Sequence, residues 1–204
     1  MTQAKPRFRT FEEYLDYDDE SDRRYELING ELFELPPESP ENDFFALNLR
    51  DLLIKVVRRQ LVRVHTCEMQ VRVLEPKDPA NRYPDLVILR PEHLEIMQRR
   101  LTINSDMPPP QLVAEVVSPG KKNREHLRCA KGVRDLIRKR DQYAARGIPE
   151  YWLIDPSRSV VVVLTLKGDF YQEQSFTGNV AIVSPTFPDL QLTAEQVLRA
   201  GDDV

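Results

Sequence analysis

The stretch QLVAEVVSP, residues 111–119, restricts the fold more than any other part of the sequence. Leu112, Val113, Ala114, Val116 and Val117 form a short apolar run, the pattern of a strand buried in a sheet, and Glu115 sits in its middle. A lone carboxylate is costly to bury unless something compensates its charge. The strand therefore needs covering elements, and Glu115 needs a partner.

The rest of the chain supplies the covering elements. Residues 1–9 read as a loose, flexible arm, and 10–204 as one domain. Thr10 caps a short helix with Glu12 and Glu13 in its first turn. Tyr25–Ile28 and Glu31–Leu35 flank Asn29-Gly30, a strong hairpin signal. Ser39-Pro40 opens a helix that buries Phe45, Leu49, Leu52 and Val56. Residues 67–73 alternate, with Met69, Val71 and Val73 on one side. Residues 85–89 form a fully apolar strand with Asp85 at its entry, and the charged stretch 121–146 turns helical before Gly147 stops it. Strands over 151–155, 160–166 and 170–176 and a short C-terminal helix complete an α/β (α+β) order, one sheet flanked by helices.

Two carboxylates on adjacent buried strands, Asp85 and Glu115, would repel each other unless a hard divalent cation with oxygen ligands lay between them. Such a cation can activate water and stabilise in-line displacement at phosphorus. The alternative for Glu115 is a buried ion pair with an Arg or Lys.

RYELINGELFEL, RYPDLVIL, LVAEVVSPG and QYAARGIPEYWLIDP, in that order, resemble the Uma2 family of endonucleases, within the PD-(D/E)XK superfamily, over roughly residues 10–195. The resemblance implies a restriction-endonuclease-like fold, a mixed β-sheet core flanked by helices. It implies a nuclease using Mg²⁺ or Mn²⁺, with Asp85 and Glu115 as metal ligands and the Val116 carbonyl near the metal. Three departures stand out. Val117 occupies the superfamily's lysine position; Asn42 stands where the family often has a histidine; and roughly eight residues near 125–133 look inserted. Lys139 is the candidate replacement lysine, because Asp135, Lys139 and Tyr143 share one helix face. Its alternative is an exposed lysine paired with Asp135. Glu26 is the candidate third acid. The competing function is a catalytically inactive nucleic-acid-binding or assembly module on the same fold.

Between Lys121 and Arg140 nine Lys or Arg stand against two acids, in a chain of net charge −4. Lys121, Lys122, Arg124 and Arg138 are the candidate nucleic-acid contacts, with a solvated helix face as the alternative. DNA is the expected partner, and a homodimer the expected assembly, since nucleases of this fold often pair to cut two strands. His65, Cys67, His126 and Cys129 form a rival zinc constellation of weak spacing. The two cysteines fit a reducing compartment, and no apolar signal core or membrane-spanning run is present, so the expected location is cytoplasmic. No small-molecule cofactor is expected.

Overall fold

The computed structural model describes residues 6–18, 20–21, 23–97, 100–117 and 130–199. Lys121, Lys122, Arg124, His126 and Cys129 lie outside the described residues. Helix α1 (Phe11–Leu15) starts where Thr10 accepts a hydrogen bond from the Glu13 N–H at 3.2 Å. β1 (Tyr25–Ile28) and β2 (Glu31–Glu34) form a hairpin turned by Asn29 and Gly30, whose φ values of 53° and 81° are the left-handed pair that the turn requires. The arm expected through residue 9 is already tied down at its end. Arg7 bridges to Glu31, and the Phe8 N–H donates to the Gly30 carbonyl at 2.8 Å.

Helix α2 (Pro40–Leu53) is capped by Ser39 and buries Ala46, Leu49 and Leu53. It ends at Leu53, so Val56, expected on the buried face, falls in the following turn and is exposed. β3 (Val62–Val64), β4 (Glu68–Gln70), β5 (Asn81–Arg82) and β6 (Leu86–Ile88) follow. β4 stops at Gln70, which leaves Val73 beyond the last paired residue and exposed, against the alternation read over 67–73. α3 (His93–Ile96), β7 (Thr102–Ile103) and β8 (Leu112–Val116) lead to α4 (Ala130–Ala145), which Gly147 terminates at φ +77°. β9 (Glu150–Asp155), β10 (Val160–Lys167), β11 (Phe170–Phe176) and α5 (Ala194–Leu198) close the chain.

The strands form three sheets where one was expected. The central sheet has the order β11-β10-β9-β8-β6-β3, the hairpin β1-β2 stands apart, and β5-β4-β7 forms a third sheet. In the central sheet β8 and β9 are parallel, joined through α4, and every other neighbouring pair is antiparallel. α2 packs on β3 and β8, α5 packs on β10 and α2, and Tyr143 of α4 stacks edge-on against Tyr151 of β9 at 5.1 Å. The mixed sheet is thus flanked by helices.

The register decides which side chains share a face. Val113 pairs with Tyr151, Val87 with Val113, and Arg63 with Val87. Side chains alternate along a strand, so Glu115 lies on the Val113 face. Continuing the β6–β8 register by one step sets Asp85 opposite Glu115. Continuing the β3–β6 register sets His65 opposite Asp85, where the His65 N–H donates to the Asp85 carbonyl at 3.0 Å.

Candidate active site

This row of three side chains, Glu115, Asp85 and His65, lies across adjacent strands, with α4 over Glu115. Glu115 is 5% exposed and Asp85 7%. Both Glu115 oxygens have donors from α4: Lys139 Nζ bonds Oε2 at 2.7 Å, and the Tyr143 hydroxyl bonds Oε1 at 2.6 Å. The Val116 N–H donates to Asp85 Oδ2 at 2.6 Å. Burial, and then the neighbouring Glu115 charge, push the Asp85 carboxyl up to about 7. Burial works against the Lys139 ammonium, yet Glu115 and then Asp135 hold its pKa above the ordinary lysine value. Lys139 thus forms an ion pair with Glu115, and Asp135 one turn earlier forms one with Arg82.

The position of Lys139 follows from the strand period. Val117 shares the Glu115 face, the place from which a strand lysine would reach the site. α4 covers that face and delivers an ammonium to the same carboxylate from above. One turn earlier Asp135 meets Arg82, which is 3% exposed and lies at the centre of a second network. Arg82 Nη1 bonds Glu26 Oε1 at 3.0 Å and Asp135 Oδ1 at 3.3 Å, and its Nε bonds Gln142 Oε1 at 2.9 Å. Glu26, expected as the third acid at the metal, is held by Arg82 and does not join the cluster of possible ligands. Its carboxyl is raised by burial, against the pull of Arg82 and Lys139.

That cluster brings in two residues that the sequence reading did not place at the site. Glu38, His65 and Asp85 each offer a ligand atom, all within 4.8 Å of one another. His65 Nδ1 stands 3.6 Å from Asp85 Oδ1 and 3.9 Å from Glu38 Oε1, and Nε2 stands 3.5 Å from Asp43 Oδ1. Both ring nitrogens are buried and make no hydrogen bond among the described residues. Burial lowers the imidazole pKa against the pull of Glu38 and Asp43, which favours the neutral, ligand-competent ring. Carboxylate oxygens with one imidazole fit a divalent cation. Cys67, proposed as a zinc partner of His65, is instead a buried thiol pushed up to about 12 by burial and then by Glu68, with Sγ directed to the Glu68 carbonyl. Strand pairing is what reveals the pairing of His65 with Asp85; no local pattern encodes it.

The model of one family, Uma2, described as "Putative restriction endonuclease", matches residues 11–195. The chain belongs to the Uma2 family. The match encloses Glu38, His65, Asp85, Glu115 and Lys139. A crystal structure titled as a putative nuclease belonging to DUF820, from Anabaena variabilis ATCC 29413, is similar at a TM-score of 0.62 and 17% identity, over 93% of this chain and 97% of that one. At that identity the likeness is one of fold. No curated protein matches the chain. No helix among the described residues is long and apolar enough to cross a membrane.

This Uma2 chain also carries a basic depression of about 830 Å³ along β3, the edge strand of the central sheet. Arg50, Arg58, Arg59 and Arg63 line it, with no carboxylate among the described lining residues, and Arg50 pairs with Asp51 at 3.4 Å. Arg138, expected to contact nucleic acid, lies 3.3 Å from the buried Asp78.

Proposed function

We propose that this chain is a divalent-cation-dependent nuclease that hydrolyses phosphodiester bonds, with DNA as substrate. The observation that carries the proposal is the buried Asp85–Glu115 pair, opposed on neighbouring strands, with Lys139 fixed on Glu115. A bound Mg²⁺ or Mn²⁺ would supply a Lewis acid and a water of lowered pKa. Asp85 and Glu115 would hold it; Asp85 also belongs, with Glu38 and His65, to the cluster of possible ligands, which does not include Glu115. The protein's own groups do the rest. The Val116 N–H orients Asp85, the Tyr143 hydroxyl orients Glu115, and the Lys139 ammonium holds the attacking water or offsets charge on the phosphorane.

A second reading has an observation in its favour. The Lys139–Glu115 ion pair neutralises Glu115 without any metal, as it would in a non-catalytic binding or assembly module. Cation dependence separates the two. The nuclease reading expects the purified chain to nick supercoiled plasmid or cut RNA with Mg²⁺ or Mn²⁺ and to stop on addition of EDTA. Intact DNA and RNA under every cation condition leave the module. A cytoplasmic homodimer, its two sites cutting the two strands, completes the proposal.

The arginine depression supports a phosphate-backbone partner, because guanidinium forks match phosphate oxygens. Binding of duplex DNA, measured by fluorescence anisotropy without divalent cation, should weaken steeply with salt. Each phosphate contact contributes a slope of about −0.9 in log K against log salt, so Arg58→Ala with Arg59→Ala should flatten the slope by about 2. An unchanged slope removes these arginines from the interface.

A further inference from the structure

We infer that the cation of this site is a first-row transition ion, Mn²⁺ before Mg²⁺, and that His65 Nδ1 and the Glu38 carboxylate are ligands to it in addition to the acid pair. The inference rests on the nuclease reading only for the purpose of the site; the ligand set is argued from His65 itself. A buried imidazole normally satisfies both nitrogens, and this one satisfies neither. Its Nδ1 faces two carboxylate oxygens at 3.6 and 3.9 Å. Those separations are too long for hydrogen bonds. They suit ligands sharing one ion, since bonds of about 2.0–2.2 Å to a common metal set neighbouring donors about 3 to 4 Å apart.

The other ring nitrogen fits the same assignment. A ligating histidine usually gives its second N–H to a carboxylate that fixes its tautomer; Nε2 makes no such bond here, and Asp43 Oδ1, 3.5 Å away, is the carboxylate that would take it in the ligated state. The backbone also holds the ring in place. His65 has φ +52°, a left-handed conformation uncommon for a non-glycine residue. Its N–H is bound to the Asp85 carbonyl, and its own carbonyl accepts from Arg24 Nη1 at 3.2 Å. The cost of that conformation is borne where an imidazole is turned towards two acids. A site with one imidazole nitrogen binds first-row ions with affinity rising from Mn²⁺, which also accepts the carboxylates, whereas Mg²⁺ prefers an all-oxygen shell and keeps its waters. Arg24 Nη2 already holds Glu38 Oε1 at 3.0 Å, so Glu38 is the ligand whose loss should matter least.

The test is direct cation binding to the metal-stripped full chain, with free Mn²⁺ read by electron paramagnetic resonance and Mg²⁺ by calorimetry. The wild type is expected to bind Mn²⁺ at least tenfold more tightly than Mg²⁺. His65→Ala and the better-filling His65→Gln should each lose about tenfold or more in Mn²⁺ affinity, with Mg²⁺ affinity little changed, so the preference collapses. Thermal melting confirms that each variant is folded. Wild-type affinity for Mn²⁺ in both folded His65 variants overturns the inference, as does equal affinity of the wild type for the two ions. The nuclease reading is tested separately: if cation-dependent plasmid cleavage survives while the His65 variants bind Mn²⁺ normally, the ligand assignment alone fails. A His65-dependent Mn²⁺ preference in a chain that cuts nothing sustains the site and removes the nuclease reading.

Discussion

Lys139→Met is expected to lower stability by about 3–5 kcal/mol and the melting temperature by roughly 10 °C, and to abolish cleavage. Glu115 is 5% exposed, and Lys139 Nζ is the cation bonded to it. Removal of the ammonium leaves a buried carboxylate with the Tyr143 hydroxyl as its hydrogen-bond donor from α4. Breaking one side of such a pair is far more damaging than replacing both sides. The double variant Glu115→Gln with Lys139→Met should therefore recover most of the lost stability in urea denaturation while cleavage stays absent. A Lys139→Met protein as stable as wild type would mean that Glu115 is already neutral or wet, and the burial argument would fall.

Arg82→Ala is the second large effect. Arg82 joins three elements: Glu26 on β1, its own strand β5, and Asp135 and Gln142 on α4. Gln142 Nε2 in turn bonds the Arg72 and Pro79 carbonyls at 2.8 and 2.9 Å. Loss of the guanidinium strands the half-buried Glu26 and unpins α4, at a cost of about 3–5 kcal/mol by chemical denaturation. Cleavage should fall as well, although Arg82 is a positioning residue. Lys139 and Tyr143 lie on the same helix one and two turns beyond Asp135, and a small displacement of α4 moves both from Glu115. Arg82→Lys should restore little, because a compact ammonium cannot serve Glu26, Asp135 and Gln142 from one fixed fork. Wild-type stability in Arg82→Ala would show that the two carboxylates are solvated without it.

Local patterns were legible where their period or turn chemistry is local. Asn29-Gly30 announced the hairpin, Ser39-Pro40 the start of α2, and the spacing of Asp135, Lys139 and Tyr143 the shared face of α4. Partners across the fold were less legible. The alternative reading paired Lys139 with Asp135, whereas the fold gives Lys139 to Glu115 and Asp135 to Arg82. Glu26 reads as an acid near the cation, but its nearest cation is the Arg82 guanidinium, 56 residues away along the chain. His65 belongs with Asp85 only because β3 pairs with β6, and Glu38 only because the loop before α2 folds over that strand end. The extra sheets escaped for another reason. β5 and β7 are two residues each, too short to carry a period. Asn42 stands on α2, where the resemblance implied a histidine. An imidazole nevertheless stands beside the first turn of α2, supplied by the end of β3 and facing Asp43.

The central claim is that the charge on Asp85 serves phosphodiester hydrolysis. Asp85→Asn tests it most directly. The substitution keeps the volume of the side chain and an oxygen for the Val116 N–H, and it removes only the anionic ligand. In a supercoiled-plasmid assay with saturating Mn²⁺, the wild type is expected to nick and linearise the DNA, and Asp85→Asn to fall by about a thousand-fold or more, a loss of several kcal/mol of transition-state stabilisation. Plasmid cut by Asp85→Asn at the wild-type rate would contradict the account.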